Sequence, residues 1–287
     1  MTKTSESISN DLNRRGWKSI QKTQSSKIDD LSWFEGYFWE KLYGWDGDTW
    51  IRNLHEIRTR DIAVTALGDI RGKRCLDIGC GNGIYTLLIS YLGAEASGQD
   101  LSEQAIDRAR ELLKITSQKA EFKIGDAVNL QFPSNYFDTV FSADFFEHIS
   151  IEQKRKVLQE IYRVLVPGGY LVIKTPNISY LKLSIYLKRI AYLLTFRSPL
   201  IYIAHTHNNP DNEHHGLTSF RIMRQELEAL CFHTPEFHYQ PLVRRGIPQW
   251  LTDFLLWTKI KIFSEHLIIS TKKSIFVGAA EVFRQNK

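Results

Sequence analysis

A short apolar strand that runs into a glycine-rich turn is the feature that most restricts the folds open to this chain. Residues 74–78 read Arg-Cys-Leu-Asp-Ile, and glycines follow at positions 79, 81 and 83. Glycine allows positive φ and lets backbone approach a ligand closely, while the free N–H groups of the next helix favour a negative group. The pattern predicts a strand–turn–helix unit that binds a nucleoside-like molecule. A tight turn without a ligand is the alternative.

Short strand patterns alternate with helical patterns beyond this turn. Four further strands are predicted, at residues 94–99, 120–124, 139–142 and 170–174. Ser102 is expected to cap one intervening helix, and Ser150 with Gln153 forms the capping-box pattern of another. Alternation of this kind predicts an α/β fold in which helices cover a parallel sheet.

Composition excludes several classes of protein. The 287 residues are 43% hydrophobic and 24% charged, which is typical of a folded globular chain. A net charge of +5 without a polybasic block gives no support to a nucleic-acid partner. The three cysteines, Cys75, Cys80 and Cys231, show no C-x-x-C pairing, so neither a disulfide framework nor a structural zinc site is expected.

Neither a secretory signal nor a membrane-spanning helix is expected. The first 30 residues lack a continuous apolar stretch, and charged residues interrupt the most apolar segment, 178–196. We therefore expect a cytoplasmic protein. Peripheral contact with a membrane through residues 178–204 or 250–263 is left open, as is the oligomeric state.

Two segments are predicted to lie outside the α/β core. Residues 1–71 hold five of the seven tryptophans and are interpreted as an N-terminal helical cap on a single domain, 72–287. Residues 178–216 form an insert after the fifth strand. Four insert residues share one helical face: Leu183, Leu187, Ile190 and Leu194. For the helix alone, a dimer surface, an interfacial segment or packing on the core is also compatible with such a face, but the insert as a whole is expected to form a mobile lid that closes over the acceptor together with the cap.

Two acidic residues follow the next strands. Asp100 ends the second strand, where doubly wound folds place an acid that accepts both ribose hydroxyl hydrogens. Asp126, in Gly125-Asp126-Ala127 after the third strand, suits the exocyclic amine of adenine. Each is also compatible with an ordinary turn or capping aspartate. Together with the glycine turn, they favour an adenosine site.

The spacing of the glycines separates two kinds of adenosine site. Dinucleotide dehydrogenases use G-x-G-x-x-G, whereas this chain has G-x-G-x-G preceded by the acid Asp77. That arrangement resembles the first motif of class I S-adenosylmethionine-dependent methyltransferases and disfavours a nicotinamide oxidoreductase. The resemblance covers about residues 72–177, through Asp100, 125–127, 137–140 and 164–170.

The resemblance implies a seven-stranded, doubly wound sheet whose last strand is antiparallel. Residues 237–242 and 274–282 are expected to form its closing hairpin. Many relatives have Gly-Phe before the sixth strand, where this chain has Cys231-Phe232. That difference leaves the geometry of the turn open.

The resemblance also implies S-adenosylmethionine as the cofactor and assigns residues to it. Asp77 orients the glycine loop and the ammonium group of the cofactor, Asp100 binds the ribose, and Asp126 with Ala127 meets the adenine. The methionine end is lined by Gly79, Gly81 and Gly83. The predicted cofactor set is completed by Cys80, Leu101 and Asp144.

The acceptor is expected at the carboxyl end of the fourth strand. Histidine suits the removal of a proton from an acidic phenol or an enol, so His148 is the candidate base, with Glu147 or Asp144 to orient it. A structural role for Glu147-His148 at the start of the next helix is the alternative. A divalent cation on these three residues is not expected.

Two further residues are candidates for acceptor binding. His215 stands just before the helix predicted from Ser219, a position where similar enzymes that modify sugars or lipid-linked intermediates carry a histidine. Tyr180 lies in the insert. The histidines at 205, 207, 214 and 215 have no partner cysteine nearby, so a zinc site is not expected.

The sequence therefore predicts an S-adenosylmethionine-dependent methyltransferase. Its acceptor is expected to be a small or lipid-linked molecule of phenol, quinone-pathway or glycan type, methylated at oxygen. The alternative from another class is a noncatalytic protein that binds the cofactor and regulates a second methyltransferase.

Overall fold

The computed structural model describes residues 63, 65–116, 118–195, 198, 216–239 and 249–275. The chain divides into two compact units, and of the described residues only 249–258 belong to the first. All other described residues belong to the second unit. Most of the predicted N-terminal cap and residues 199–215 of the predicted insert lie outside the described residues.

Seven strands of the second unit form one sheet, in the order β3-β2-β1-β4-β5-β7-β6. The strands are β1 (Arg74–Ile78), β2 (Glu95–Asp100), β3 (Ala120–Ile124), β4 (Phe137–Ala143), β5 (Leu165–Pro176), β6 (Glu236–His238) and β7 (His266–Lys272). Strands β1 to β5 pair in parallel, whereas β7 is antiparallel to both of its neighbours. The predicted doubly wound sheet with an antiparallel last strand is confirmed.

Helices follow the strands as the alternating pattern predicts. They are α1 (Ile84–Tyr91), α2 (Glu103–Thr116), α3 (Ile151–Val164), α4 (Ile178–Leu194), α5 (Phe220–Ala229) and, in the first unit, α6 (Gln249–Thr258); Phe146–His148 and Lys261–Phe263 are single 3-10 turns. The Ser102 hydroxyl accepts the Ala105 N–H at 3.2 Å at the start of α2. Ser150 and Gln153 form both bonds of a capping box before α3. Both predicted caps are therefore present.

The core lies on both faces of the sheet. Leu76 and Ile78 of β1 pack with residues of α3, while Cys75 packs on the opposite face. Both faces of this strand are buried, as expected for a parallel strand between two layers of helices. Four residues from the end of the predicted cap pack on the same face as Cys75: Ala63, Ala66, Leu67 and Ile70.

The last two strands do not lie where the sequence placed them. The expected terminal strand, 274–282, is wrong: β7 is His266–Lys272, and Ser274 and Ile275 are in no strand, while 276–282 lie outside the described residues. Strand β6 begins and ends earlier than expected, at Glu236–His238. Pairing explains the position of β7. This strand pairs with β5 over seven residue pairs and buries Leu267–Ile269 between the helices on the two faces of the sheet.

The turn at Cys231 keeps the geometry that a glycine would provide. Cys231 has φ 62. Its N–H donates to the Glu228 carbonyl at 3.1 Å, and the N–H of Phe232 donates to the Leu227 carbonyl at 3.1 Å. These are the two bonds of a Schellman motif, which ends α5 with a left-handed residue. The cysteine replaces the glycine without changing the turn.

The predicted insert leaves and re-enters the fold at one place. Asn177 forms a parallel bridge with Thr218, and the N–H of Ile178 donates to the Thr218 carbonyl at 3.1 Å. This junction lies at the carboxyl end of β5, and α4 starts from it. Within the part of the chain that the structure describes, no helix has the length and hydropathy of a membrane span.

Candidate active site

Asp77, near the end of β1, ties the strand to the helix that follows the glycine turn. Its side chain is 2% exposed, and its Oδ2 accepts the hydroxyl of Thr86 at 2.7 Å. Burial raises the pKa of Asp77 to about 7, and the neighbouring charge of Asp100 acts in the same direction. This position fits the predicted role of orienting the loop.

The glycine loop rests on the end of β2. Gly79, Gly81 and Gly83 have φ values of 68, 50 and 78. The N–H groups of Gly79 and Cys80 donate to the Gln99 carbonyl at 2.9 and 3.2 Å. Cys80, between the first two glycines, is buried.

The surroundings of Gly81 fit a bound cofactor. A Cβ atom built on Gly81 would meet no atom within 4 Å, so one side of the loop is open. The Gly81 N–H donates to Asp100 Oδ2 at 2.8 Å. A side chain at this position would fill the open space that a ligand on the loop needs.

Asp100 retains acceptor capacity for the predicted ribose hydroxyls. Its Oδ1 accepts the Ser102 N–H at 2.9 Å, and its Oδ2 accepts the Gly81 N–H. A carboxylate offers about four lone-pair positions, so about two remain. The next residue, Leu101, is 70% exposed and provides an apolar surface beside the carboxylate.

The loop after β3 is held by a residue that the sequence did not single out. The buried amide of Gln99 donates to the Asp126 carbonyl at 3.0 Å and accepts the Gln131 N–H at 3.2 Å. Ala127 is buried, whereas Asp126 is exposed and its Oδ1 accepts the Val128 N–H at 3.0 Å. Asp126 thus forms an aspartate turn, and its second oxygen remains for the predicted contact with adenine.

The end of β4 lies directly beside the glycine loop. The hydroxyl of Ser142 donates to the Ile78 carbonyl at 3.0 Å. The ring of Phe145 covers Gly79 so closely that a Cβ atom on Gly79 would lie 2.5 Å from it. The turn that carries Glu147 and His148 therefore begins against the predicted cofactor loop.

An ion pair between an exposed aspartate and a buried lysine fixes the residue between β4 and this turn. Asp144 has φ 52, and its carboxylate pairs with the ammonium group of Lys174. The Asp144 N–H also donates to the Lys174 carbonyl at 2.9 Å. Burial by itself would lower the pKa of Lys174, but Tyr85 and Asp144 outweigh it and raise the pKa. Lys174 was not predicted, although a lysine within the apolar run of β5 is a visible signal.

Glu147 and His148 have different environments. Glu147 is buried, and its Oε2 accepts the hydroxyl of Thr175 at 2.9 Å. Burial raises the pKa of Glu147, and Asp144 adds to the shift. His148 is exposed on the same 3-10 turn. The structure thus brings the candidate base and its neighbours together at the carboxyl edge of the sheet.

The two predicted acceptor residues differ in what the structure shows. Tyr180 is 6% exposed in the first turn of α4. His215 lies outside the described residues. The following residue, Gly216, donates its N–H to the Glu147 carbonyl at 2.8 Å, and its own carbonyl accepts a bond from the buried ammonium group of Lys154. The chain directly after His215 therefore lies on the Glu147–His148 turn.

Only glycine fits at position 216. A Cβ atom there would overlap the carbonyl oxygens of Phe146 and Ile149. Burial lowers the pKa of the neighbouring Lys154 to about 8, and Glu147 and Glu226 oppose that shift. Among the described residues, no group of three histidine, cysteine or acidic side chains is arranged to hold a metal ion.

Comparison with known proteins agrees with this geometry. Residues 76–173 match the family described as a methyltransferase domain. A mitochondrial ubiquinone biosynthesis O-methyltransferase of Schizosaccharomyces pombe is 29% identical over 57% of this chain and 61% of its own length. A chloroplastic tocopherol O-methyltransferase of Arabidopsis thaliana is 38% identical over 36% of this chain and 30% of its own length. The chain thus spans less than two thirds of either relative.

The sheet is also found in solved structures. A SAM-dependent methyltransferase from Archaeoglobus fulgidus superposes with a TM-score of 0.52 at 21% identity, over 84% of this chain and all of that one. At this identity the likeness concerns the fold. Residues 76–173 thus match a methyltransferase domain within a sheet of the class I methyltransferase fold, and the family match together with the glycine loop indicates S-adenosylmethionine as the cofactor.

Proposed function

We propose that this protein methylates an oxygen atom of a small-molecule or lipid-linked acceptor of phenol or quinone-pathway type. The observation that carries the proposal is the contact between Phe145 and Gly79. It joins the cofactor loop to the turn that bears an exposed histidine, His148. The names of the ubiquinone and tocopherol relatives support this acceptor class.

The chain's own residues account for binding and orientation. Gly81, Asp100 and Ala127 would hold the methionine, ribose and adenine parts of S-adenosylmethionine, which supplies an electrophilic methyl group when bound. His148 accepts the proton of the acceptor hydroxyl in this proposal. Because methyl transfer to oxygen needs little covalent help from the protein, alignment of the acceptor accounts for much of the rate.

In this proposal Glu147 is a positioning residue and does not itself take part in the proton transfer. It is buried against Thr175, and its carbonyl holds Gly216. Lys154 fixes the same segment from the other side. Glu147 therefore joins the candidate base to the end of the insert and stabilises the shape of the acceptor side.

We also propose a cytoplasmic location, which suits the three free cysteines.

In the test, the purified protein is incubated with labelled S-adenosylmethionine and with separate panels of phenols, hydroxyquinones, sugars and amines. Mass spectrometry of the products identifies the methylated atom. We expect transfer to a phenolic or enolic oxygen, and a loss of at least about a hundredfold in His148→Ala if the histidine is the base. Transfer to a sugar hydroxyl would instead select the glycan class.

A second readout separates the enzyme from the noncatalytic alternative. Calorimetric titration with S-adenosylhomocysteine measures cofactor binding without any acceptor. Tight binding together with no methyl transfer across all panels would support a regulatory partner of another methyltransferase. Absence of binding would contradict the assignment of the loop itself.

A further inference from the structure

Helix α4 presents an apolar face to solvent. Tyr186, Leu187, Ile190, Leu193 and Leu194 are 62, 55, 54, 60 and 75% exposed. Their spacing places them on one side of the helix, which we call the α4 face. Single exposed apolar residues are ordinary on protein surfaces, whereas a contiguous group of five indicates a contact surface.

The start of α4 is fixed, so the α4 face has a defined position. Tyr180 in its first turn is buried. The side-chain amide of Asn177 donates to the carbonyls of Lys261 and Ser264 at 2.9 and 2.8 Å, and its oxygen accepts the Ser179 N–H at 3.1 Å. The helix therefore starts at the carboxyl edge of the sheet, the edge that also carries the candidate active site.

All the charged side chains of α4 are basic. Residues 178–195 contain Lys182, Lys188 and Arg189 and no acidic residue. Lys182 is exposed, and the guanidinium of Arg189 lies 5.6 Å from the centre of the Tyr186 ring, at the border of the α4 face. Basic side chains beside an apolar face are typical of helices that lie in the plane of an anionic lipid surface.

The size of the α4 face argues against a second copy of the chain as its occupant. A helix of 17 residues is about 25 Å long and about 10 Å wide, which gives roughly 250 Å² on one side. A stable dimer buries about 800 Å² on each partner. Two copies of a basic helix would also repel each other, whereas anionic headgroups would attract them.

We propose that the α4 face docks this protein on an anionic lipid surface. Its five apolar side chains enter the boundary between headgroups and acyl chains, and Lys182 and Arg189 remain at the level of the headgroups. A membrane at this edge would bring a lipid-linked acceptor to the side of the sheet where methyl transfer is proposed. The docking itself does not depend on the acceptor or on catalysis.

The first experiment measures co-sedimentation of the full-length protein with lipid vesicles. One set is phosphatidylcholine alone, and the other contains about a quarter phosphatidylglycerol. We expect at least about tenfold stronger binding to the anionic vesicles, and binding that weakens as salt is raised. Equal or absent binding to the two sets would overturn the proposal.

Paired variants assign the binding to the α4 face. Leu187→Asp with Ile190→Asp should lower binding to anionic vesicles at least about tenfold. The control, Ile151→Asp, makes the same kind of change at a 60% exposed residue of α3 and should bind like the wild type. Binding of the double variant at the level of the wild type would contradict the assignment.

The charges are tested in the same way. Lys182→Glu with Arg189→Glu should reduce binding to anionic vesicles by about tenfold or more, because each basic residue near such a surface contributes about fivefold. Arg108→Glu with Lys114→Glu, at two exposed sites of α2, makes the same change in net charge and is the control. Equal losses in the test and control variants would mean that net charge alone drives binding, and the proposal would be wrong.

Two further measurements show whether a loss of vesicle binding comes from misfolding or from self-association, and neither of them depends on the proposed methyl transfer. Every variant is titrated with S-adenosylhomocysteine, and unchanged affinity shows that the domain is folded even if no acceptor is ever methylated. Size-exclusion chromatography over a range of concentrations detects self-association. A wild-type dimer that becomes a monomer in the Leu187→Asp, Ile190→Asp variant would overturn membrane docking in favour of a dimer surface.

Discussion

Asp100 accepts the N–H of Gly81 through its Oδ2 at 2.8 Å. The acid predicted to bind ribose therefore also holds the glycine loop that is predicted to bind the methionine part of the cofactor. One carboxylate connects the two halves of the site. Loss of this side chain should affect cofactor affinity through both contacts.

Replacement of Asp100 by alanine should weaken S-adenosylhomocysteine binding at least about tenfold while the fold is kept. Hydrogen bonds to a charged acceptor contribute on the order of 1.5–3 kcal/mol each before water compensates. Calorimetric titration measures the affinity, and Asp107→Ala, at an exposed site of α2, is the matched control. Unchanged affinity in folded Asp100→Ala would refute the ribose assignment, and tight NAD binding by the wild type would favour a dehydrogenase.

Gly81→Val should abolish cofactor binding. Its side chain would enter the open space beside the loop, and φ 50 strains any residue with a Cβ atom. Gly68→Val is the control, because Gly68 also has positive φ and open surroundings but lies outside the loop. Both variants should lose similar thermal stability, and only Gly81→Val should lose S-adenosylhomocysteine binding. A folded Gly81→Val protein that binds normally would contradict the position of the cofactor.

Asp77→Asn should stabilise the unliganded protein at high pH. The folded pKa of about 7 lies above the unfolded value near 3.9, so ionisation of Asp77 destabilises the fold progressively as pH rises between these values. Relative to the wild type, the variant should gain more than about 1 kcal/mol at pH 8 and nothing below about pH 4. Thermal unfolding across this range is the measurement, and a gain independent of pH would argue against the buried carboxyl as its cause.

Cys231→Gly should raise the stability of the domain. A residue with a Cβ atom in the left-handed region costs about 1–2 kcal/mol, and the greater freedom of glycine in the unfolded chain offsets about half of this. We expect a net gain of about 0.5–1 kcal/mol, seen as an increase of about 1–4 °C in Tm. Cys231→Ala removes the thiol and keeps the strain, so a similar gain in that variant would point to the thiol instead.

Shortening the insert should separate acceptor use from cofactor binding. A Gly/Ser linker in place of residues 182–214 keeps the packed Tyr180 and the glycine at 216. S-adenosylhomocysteine affinity should stay within about threefold, which is under about 0.7 kcal/mol, while methyl transfer is lost. The prediction follows from the expectation that the insert as a whole closes over the acceptor and excludes water from the reacting atoms, which does not require the outward α4 face to contact the acceptor. Equal losses of binding and activity would place the insert in the cofactor site.

Much of the local structure was predictable because it depends on neighbouring residues. Ser150 and Gln153 form their capping box within one turn of helix, so their spacing was enough to predict it. The glycine loop and Asp100 were predictable for a related reason. A parallel sheet places the ends of adjacent strands at one edge, and the motifs follow β1 and β2 directly.

Contacts between distant segments could not be read from these patterns. Gln99, Lys174 and Lys154 hold the loops of the site, and their partners lie 27, 30 and 62 residues away along the chain. No local periodicity reports such a pairing. The signal available in the sequence was limited to charged or amide side chains within apolar runs.

The sequence by itself determined the α/β class, the position along the chain of the strands up to β5 and which loops follow them at the carboxyl edge of the sheet. The tertiary structure decided which apolar segment becomes β7, because among the described residues His266–Lys272 pairs with the last seven residues of β5. It also decided that Gly216 lies on the Glu147–His148 turn, where no side chain fits. Both outcomes depend on close packing between segments far apart in the chain, and periodicity within a segment carries no information about it.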